Sequence, residues 1–382
     1  MDSRERILTT MDHEEPDRVP IFCFSIESLD VVRGYGFSKP ASMYDLDPRK
    51  SFEIFKKIGT DLVIVPTSSL PVAFETATGK SVCGIPIPEH INMVDEFGRT
   101  FSYYNQGGIH LTNYVGGVFS SDTGDVDEII SKYEKWSPPD PSEKDRYQYY
   151  KGVLRKAKGD GPYVIPFAQS FFENAWQPFG FQNFTKLLFK RPDFIKDMLK
   201  TIEEFLKGVI DYLVTNFSIE LFFFSDDLGY KTGPLISPRH FIQFIFPKMK
   251  DFVSYCHKNS VKAMFHSCGN INKLLDKVIE TKIDGLNPLE PSASMDIFEI
   301  KRKYGKKITL MGNVDTIDLL SKGTPKDIEL YVRKLIQHCA PGGGFILADS
   351  HSINPQITHK NYETLITSTK KYGIYPIRNS LP

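Results

Sequence analysis

Short apolar runs punctuate the chain at intervals that suit a strand followed by a helix. In order they are Val19–Phe24, Asp61–Pro66, Tyr163–Ala168, Leu221–Ser225, 261–266, Gly285–Glu290, Ile308–Gly312 and Phe345–Ala348. Each is apolar nearly throughout, the pattern of a parallel strand buried on both faces rather than of a half-exposed one. Helical spacing predicts helices at 48–58, around 180–190, over 192–216, and at Pro238–Lys258, Lys273–Lys282, Ile297–Tyr304, Pro325–Cys339 and Asn361–Tyr372. In the first of these, Phe52, Phe55 and Ile58 share one face. Arg4–Met11 reads as a further short helix ahead of the first strand.

Residues 67–160 break the rhythm. Gly, Pro and aromatic residues alternate there with polar ones, Asp95–Tyr104 reads as a hairpin, and 142–158 as a charged helix. The stretch is expected to be an inserted lid or hairpin region within one domain spanning 1–382. Eight apolar strands, most followed by a helix, fit an α/β chain closed into a (β/α)8 barrel, with the insertion between strands two and three. The Gly-rich dinucleotide fingerprint is missing: Gly342-Gly-Gly344 precedes a strand instead of following one and reads as a tight turn.

Such barrels carry their chemistry at the C-terminal strand ends. The chain delivers polar residues there repeatedly: Ser25 and Glu27, Gln169, Asp226 and Asp227, His266 and Cys268, Asn287 and Glu290, Asn313 and Asp315, then Asp349, Ser350 and His351. Pure packing has no use for Asp, His, Cys, Glu and Asn at one rim, so the pattern points to an enzyme. His266 and Cys268 stand out. Two apart at a strand end, they face the same way, and imidazole and thiolate can converge on one zinc ion at ~2.0 and ~2.3 Å. Most isolated cysteines are inert core thiols, and Cys23, Cys83, Cys256 and Cys339 are read as such. One of Asp226 and Asp227 is expected to cap the segment after strand four, leaving the other to face the mouth. Asp61 begins its strand and is read as structural.

Composition narrows the class. Lys+Arg and Asp+Glu are both 47, which argues against a nucleic-acid or anionic-membrane binder. Five scattered cysteines without a CxxC pair suit a reducing compartment, and neither a leader nor a membrane span is expected, so the protein is read as soluble and cytoplasmic.

Several of these motifs together resemble the uroporphyrinogen decarboxylase superfamily. They are His13-Glu-Glu-Pro-Asp-Arg-Val-Pro20, Ser225-Asp-Asp-Leu-Gly229, Ile236-Ser-Pro238, Phe265-His-Ser-Cys-Gly-Asn270, Met311-Gly-Asn-Val-Asp315, Gly342-Gly-Gly-Phe-Ile-Leu347 and Ser350-His351. Within it the chain looks more like the corrinoid-dependent methyltransferases, of the methylcobamide:coenzyme M type. The resemblance implies a (β/α)8 barrel and zinc on a His-x-Cys pair, matched by His266 and Cys268, with a later Cys. That later position is His351 here, a departure from the pattern, and Glu290 is a further candidate ligand. Asp227 is implied as a proton acceptor or substrate-orienting group and His351 as a ligand or acid/base, with Gln169, Asn287 and Asn313 as cofactor contacts. The corrinoid, as methylcobalamin, is expected on a separate carrier protein, the other reactant being a small methyl donor or thiol.

The true decarboxylases also carry a histidine at the position of His351, so decarboxylation stands as the alternative. Those enzymes, however, hold substrate carboxylates with an Arg-rich segment after the first strand, and here that segment is Phe24-Ser-Ile-Glu-Ser-Leu-Asp-Val-Val-Arg33. A non-catalytic corrinoid- or tetrapyrrole-binding module is the third reading.

Overall fold

A computed structural model of the chain describes all residues except 40, 43–47, 69–70, 75–80, 83–84, 87–92, 107–108, 158, 160 and 378–382. Eight parallel strands close into a barrel: β1 (Ile21–Phe22), β2 (Leu62–Pro66), β3 (Tyr163–Gln169), β4 (Leu221–Ser225), β5 (Lys262–His266), β6 (Gly285–Asn287), β7 (Thr309–Val314) and β8 (Phe345–Asp349). Closure is made by β1, which pairs with β8 through Ile21 and Leu347 and with β2 through Phe22 and Leu62. The chain is therefore an α/β protein with the (β/α)8 fold, as the apolar runs predict. Among the described residues no helix is long and apolar enough to cross a membrane.

The first strand is shorter than its apolar run, because the chain leaves the barrel after Phe22 and Ser25–Ile26 pairs instead with Ala41–Ser42. Two cores result from the alternation of side chains along each strand. Phe22, Leu62, Ile64, Ile165, Phe167, Phe223, Met264, Met311 and Ile346 fill the interior, and the opposite faces pack beneath the surrounding helices. Ile7 and Met11 of the helix Ser3–Met11 join the interior cluster, so this helix stoppers the N-terminal end. Asp61, at the foot of β2, anchors it. Its buried carboxylate accepts from Arg6 Nη1 at 2.6 Å, Arg18 Nη1 at 2.7 Å and the Ile21 amide at 2.8 Å. The three glycines before β8 all have positive φ, and a side chain on Gly343 would strike the Glu14 carbonyl, which accounts for the glycine run as a turn.

Between β2 and β3 lies the insertion. Met93–Asp95 and Arg99–Gln106 form an antiparallel hairpin continued by Ile109–Gly117. Its turn is closed by Asp95, whose carboxylate accepts from the amides of Phe97 and Arg99. The helical part, read as one element over 142–158, is a 3-10 turn at Lys144–Tyr147 followed by a helix at Gln148–Lys156. That helix packs against Pro48–Ile58, β2 and β3, so it is the barrel's own crossover between parallel strands. The inserted part accordingly stops short of it. Cys83 lies outside the described residues.

Candidate active site at the barrel mouth

The strand register sets the site. His266 ends β5 opposite Ser225 on β4 and Asn287 on β6. Beyond the strand, Cys268 turns back so that its Sγ lies 3.3 Å from His266 Nε2. Asp227, two residues past β4, accepts the Cys268 amide at 2.9 Å and brings Oδ1 to 3.7 Å from the same Nε2. These three side chains offer one donor atom each, all within 4.8 Å of one another, the one such group among the described residues. An imidazole nitrogen, a thiol sulfur and a carboxylate oxygen make a donor set of the kind that zinc takes.

A chain of hydrogen bonds decides which imidazole nitrogen faces that point. Asn287 Nδ2 donates to the Met311 carbonyl, which can only accept, so the amide oxygen must face His266. Its Oδ1 stands 2.5 Å from His266 Nδ1, which therefore carries the proton. The Nε2 lone pair is left pointing at Cys268 and Asp227. Burial keeps the ring below its ordinary basicity, against the pull of the Asp227 carboxylate, and Phe24 stacks on it with centroids 5.2 Å apart. Burial raises the Cys268 thiol well above its usual range, with Asp227 and Glu290 adding to the effect. Without a cation, this sulfur stays protonated.

The two neighbouring aspartates do opposite work. Asp226 is fully buried and caps, not the segment after β4 as expected, but the helix Phe171–Trp176 after β3. It accepts from Ser170 Oγ at 2.6 Å and from the amides of Phe171 and Glu173 at 2.8 and 2.9 Å. Burial nonetheless outweighs these donors and pushes its carboxyl up to about 6. Asp227 faces the mouth.

Other expected site residues are more distant or already engaged. Glu290 accepts from the Gly269 amide at 2.9 Å and from Ser292 Oγ at 3.0 Å, which ties the loop carrying Cys268 to the end of β6. Its charge reaches the pair but its carboxylate does not join the three donors. His351 is exposed on the rim, near enough to act on His266 electrostatically, and likewise outside the group. Asn287 orients the histidine. Asn313 is spent on the protein itself, donating to the Leu289 and Met295 carbonyls and accepting from Tyr331 Oη. Gln169 donates to Glu173. Asp315 closes the turn after β7 through the amides of Ile317 and Asp318.

A uroporphyrinogen decarboxylase family model matches residues 123–372, about two thirds of the chain and all of the barrel from β3 onward. The chain belongs to the uroporphyrinogen decarboxylase family. Curated relatives are the uroporphyrinogen decarboxylases of Vesicomyosocius okutanii and Pseudoalteromonas translucida. The first is 21% identical over 189 residues, 49% of this chain and 51% of the relative. The second is 24% identical over 198 residues, 50% of this chain and 52% of the relative. The chain thus spans about half the length of the curated relatives it matches. Among solved structures, a methyltransferase from Methanosarcina mazei superposes with a TM-score of 0.67 at 17% identity, covering 97% of this chain and 99% of that one. At this identity the likeness establishes the shared fold.

In this member of the family, Glu173 is a mouth residue that no sequence pattern marks. It is buried against the Asp227 amide, accepting from it at 3.3 Å, and burial with the charges of Asp227 and Asp226 pushes its carboxyl up to about 8. Asp349 is a second buried carboxyl, pushed up to about 7 by burial, with the Phe24 amide at 3.4 Å. A carboxyl raised in the folded state keeps its proton there while the unfolded chain has lost it. Stability therefore falls as pH rises from the ordinary carboxylate range to about 7, and stays lowered above. Asp349→Asn removes that term. It is expected to gain up to a few kcal/mol over the parent at about pH 8 and almost nothing at about pH 4, by thermal unfolding. An equal shift at both pH values would show that the carboxyl does not titrate as described.

Proposed function

We propose that the chain is a zinc-dependent methyltransferase, moving a methyl group between a corrinoid on a partner protein and a small thiol or methylated substrate. The observation that carries the reading is the convergence of His266 Nε2, Cys268 Sγ and the Asp227 carboxylate at the mouth, with the histidine tautomer set by Asn287. The ligand set implied by the resemblance ends in His351. The geometry favours Asp227 in its place. His266, Cys268 and Asp227 would hold the zinc, which when bound would supply a Lewis acid able to lower the pKa of a small thiol or polarise a methylated donor.

The chain's own residues supply the rest. Burial keeps the imidazole neutral and Asn287 keeps it aimed, as a metal ligand requires. Asp227 holds the Cys268 amide and so fixes the sulfur relative to the ring. Phe24 lays an apolar face against His266, limiting water beside the donors. His351 stands at the rim, where an exposed imidazole can pass a proton to or from solvent. The small acceptor or donor enters through this mouth, and the corrinoid carrier docks over it.

The test is zinc content of protein purified without chelator, followed by transfer from free methylcobalamin to a small alkanethiol, read by loss of the methylcobalamin absorbance. Stoichiometric zinc and zinc-dependent turnover support the proposal. Metal-free protein that also fails to bind added zinc ends it.

The family match and the two curated relatives support a second reading, decarboxylation of uroporphyrinogen or another carboxylate. It requires carbon dioxide release that survives both chelation and Cys268→Ala. Against it stands the segment after β1, where Phe24 occupies the mouth and the sequence to Arg33 carries Glu27 and Asp30 before its one arginine.

A further inference from the structure

The insertion reaches the site through a run of buried polar side chains. It begins at Arg99, the first residue of the longer hairpin strand, whose guanidinium is buried together with Asp95. Arg99 Nε pairs with Asp95 at 2.5 Å, and its Nη1 donates to Gln177 Oε1 at 2.9 Å. An arginine only donates, so the Gln177 amide has a single orientation, with Nε2 turned away from it. That Nε2 donates to Glu173 Oε1 at 2.9 Å. The other carboxylate oxygen, Oε2, accepts from Gln169 and from the Asp227 amide. Glu173 is also held by its backbone, since its amide donates to Asp226. Asp227 is gripped from both sides: its amide by Glu173, its carboxylate by the Cys268 amide.

The contact between insertion and barrel is built around this run. Tyr114 Oη donates to the Gln177 carbonyl at 2.8 Å, and the Phe119 amide to the Pro178 carbonyl at 3.0 Å. Gly117 lies so close that a side chain on it would stand 2.1 Å from the Pro178 backbone. Three separate contacts thus seat the insertion on the turn that carries Gln177. The Arg99–Asp95 pair already completes the hairpin turn. The bond from Arg99 to Gln177 is the part left over.

We infer that Arg99, Gln177 and Glu173 form a positioning relay by which the inserted hairpin sets the orientation of Asp227 toward His266 and Cys268. This rests on the reading of those three residues as a metal site. The three relay residues lie outside the group of three donors. They act through Asp227.

Cobalt(II) titration tests it, because cobalt substitutes for zinc and its visible bands report ligand geometry. In the parent, binding with a cysteine-to-cobalt charge-transfer band is expected. Gln177→Leu cuts the relay while leaving the Arg99–Asp95 pair intact, and should weaken cobalt binding about 10-fold or more, within the range for outer-shell partners, with altered ligand-field bands. Glu173→Ala should do the same. The double variant should lose no more than the more affected single, since both act on one chain of bonds. Additive losses, or unchanged affinity and spectra in folded single variants, overturn the relay. If both single variants fail to fold, these residues are core supports and the relay is likewise overturned. A parent that binds no cobalt removes the metal reading itself, an outcome distinct from binding that ignores the relay.

Discussion

Cys268→Ala and His266→Ala are each expected to lower zinc affinity more than ~100-fold, because outer-shell partners alone are worth 10–100-fold. The useful comparison is among the candidates for the third ligand. Asp227→Asn keeps an oxygen to accept the Cys268 amide but removes the charge and the ligand, so its loss should approach that of Cys268→Ala. His351→Ala and Glu290→Gln should cost far less, as neither residue joins the donor group. Asn287→Ala should fall between, by ~10–100-fold, since the ring is then free to place its proton on either nitrogen. Competition against a zinc chelator reads all six. The reverse order, with His351→Ala as damaging as Cys268→Ala and Asp227→Asn mild, would return the site to the ligand set implied by the family resemblance.

The largest effect on stability is expected at the other end of the barrel. Asp61→Ala removes the one acceptor shared by Arg6, Arg18 and the Ile21 amide, and Arg6 is itself buried. Breaking a buried ion pair by deleting one partner costs ~3–5 kcal/mol, because the remaining charge is left without compensation. Arg6 retains Asp17, bonded at 2.6 and 2.7 Å, which places the expected loss toward the lower figure. Denaturant unfolding monitored by tryptophan fluorescence measures it. A loss under ~1 kcal/mol would mean that the arginines reach water once the carboxylate is gone.

The barrel is legible in the sequence because its determinants are local. A buried parallel strand must be apolar on both faces, and all eight runs become strands for that reason. The helix Phe171–Trp176 is missed because its signal is not local: its capping carboxylate, Asp226, comes from the next strand, 55 residues from Phe171. For the same reason the sequence cannot say which of Asp226 and Asp227 is the cap. Within the site, His266 and Cys268 are found because they stand two apart at a strand end, although it is the turn after His266, not the strand itself, that brings the sulfur back to the ring. Asp227 is recognisable as a mouth residue but not as a partner of that pair, since its direction depends on the Cys268 amide. Glu173 leaves no trace in the pattern at all, lying in an apolar stretch with its partners at the end of β3, in the turn after its own helix and just past β4. Glu290 and Asn313 mislead in the opposite sense. Both stand at strand ends, yet their polar atoms are consumed by neighbouring loops.

The helix that closes the foot of the barrel has a kinetic corollary. With Ile7 and Met11 packed into the lumen, the described residues leave no passage through the barrel, and what reaches the mouth must also leave on that side. A macromolecule seated over that opening would seal its only described doorway. Small reactants would have to be loaded before it arrives and discharged after it departs, an order of events written into the architecture before any chemistry takes place.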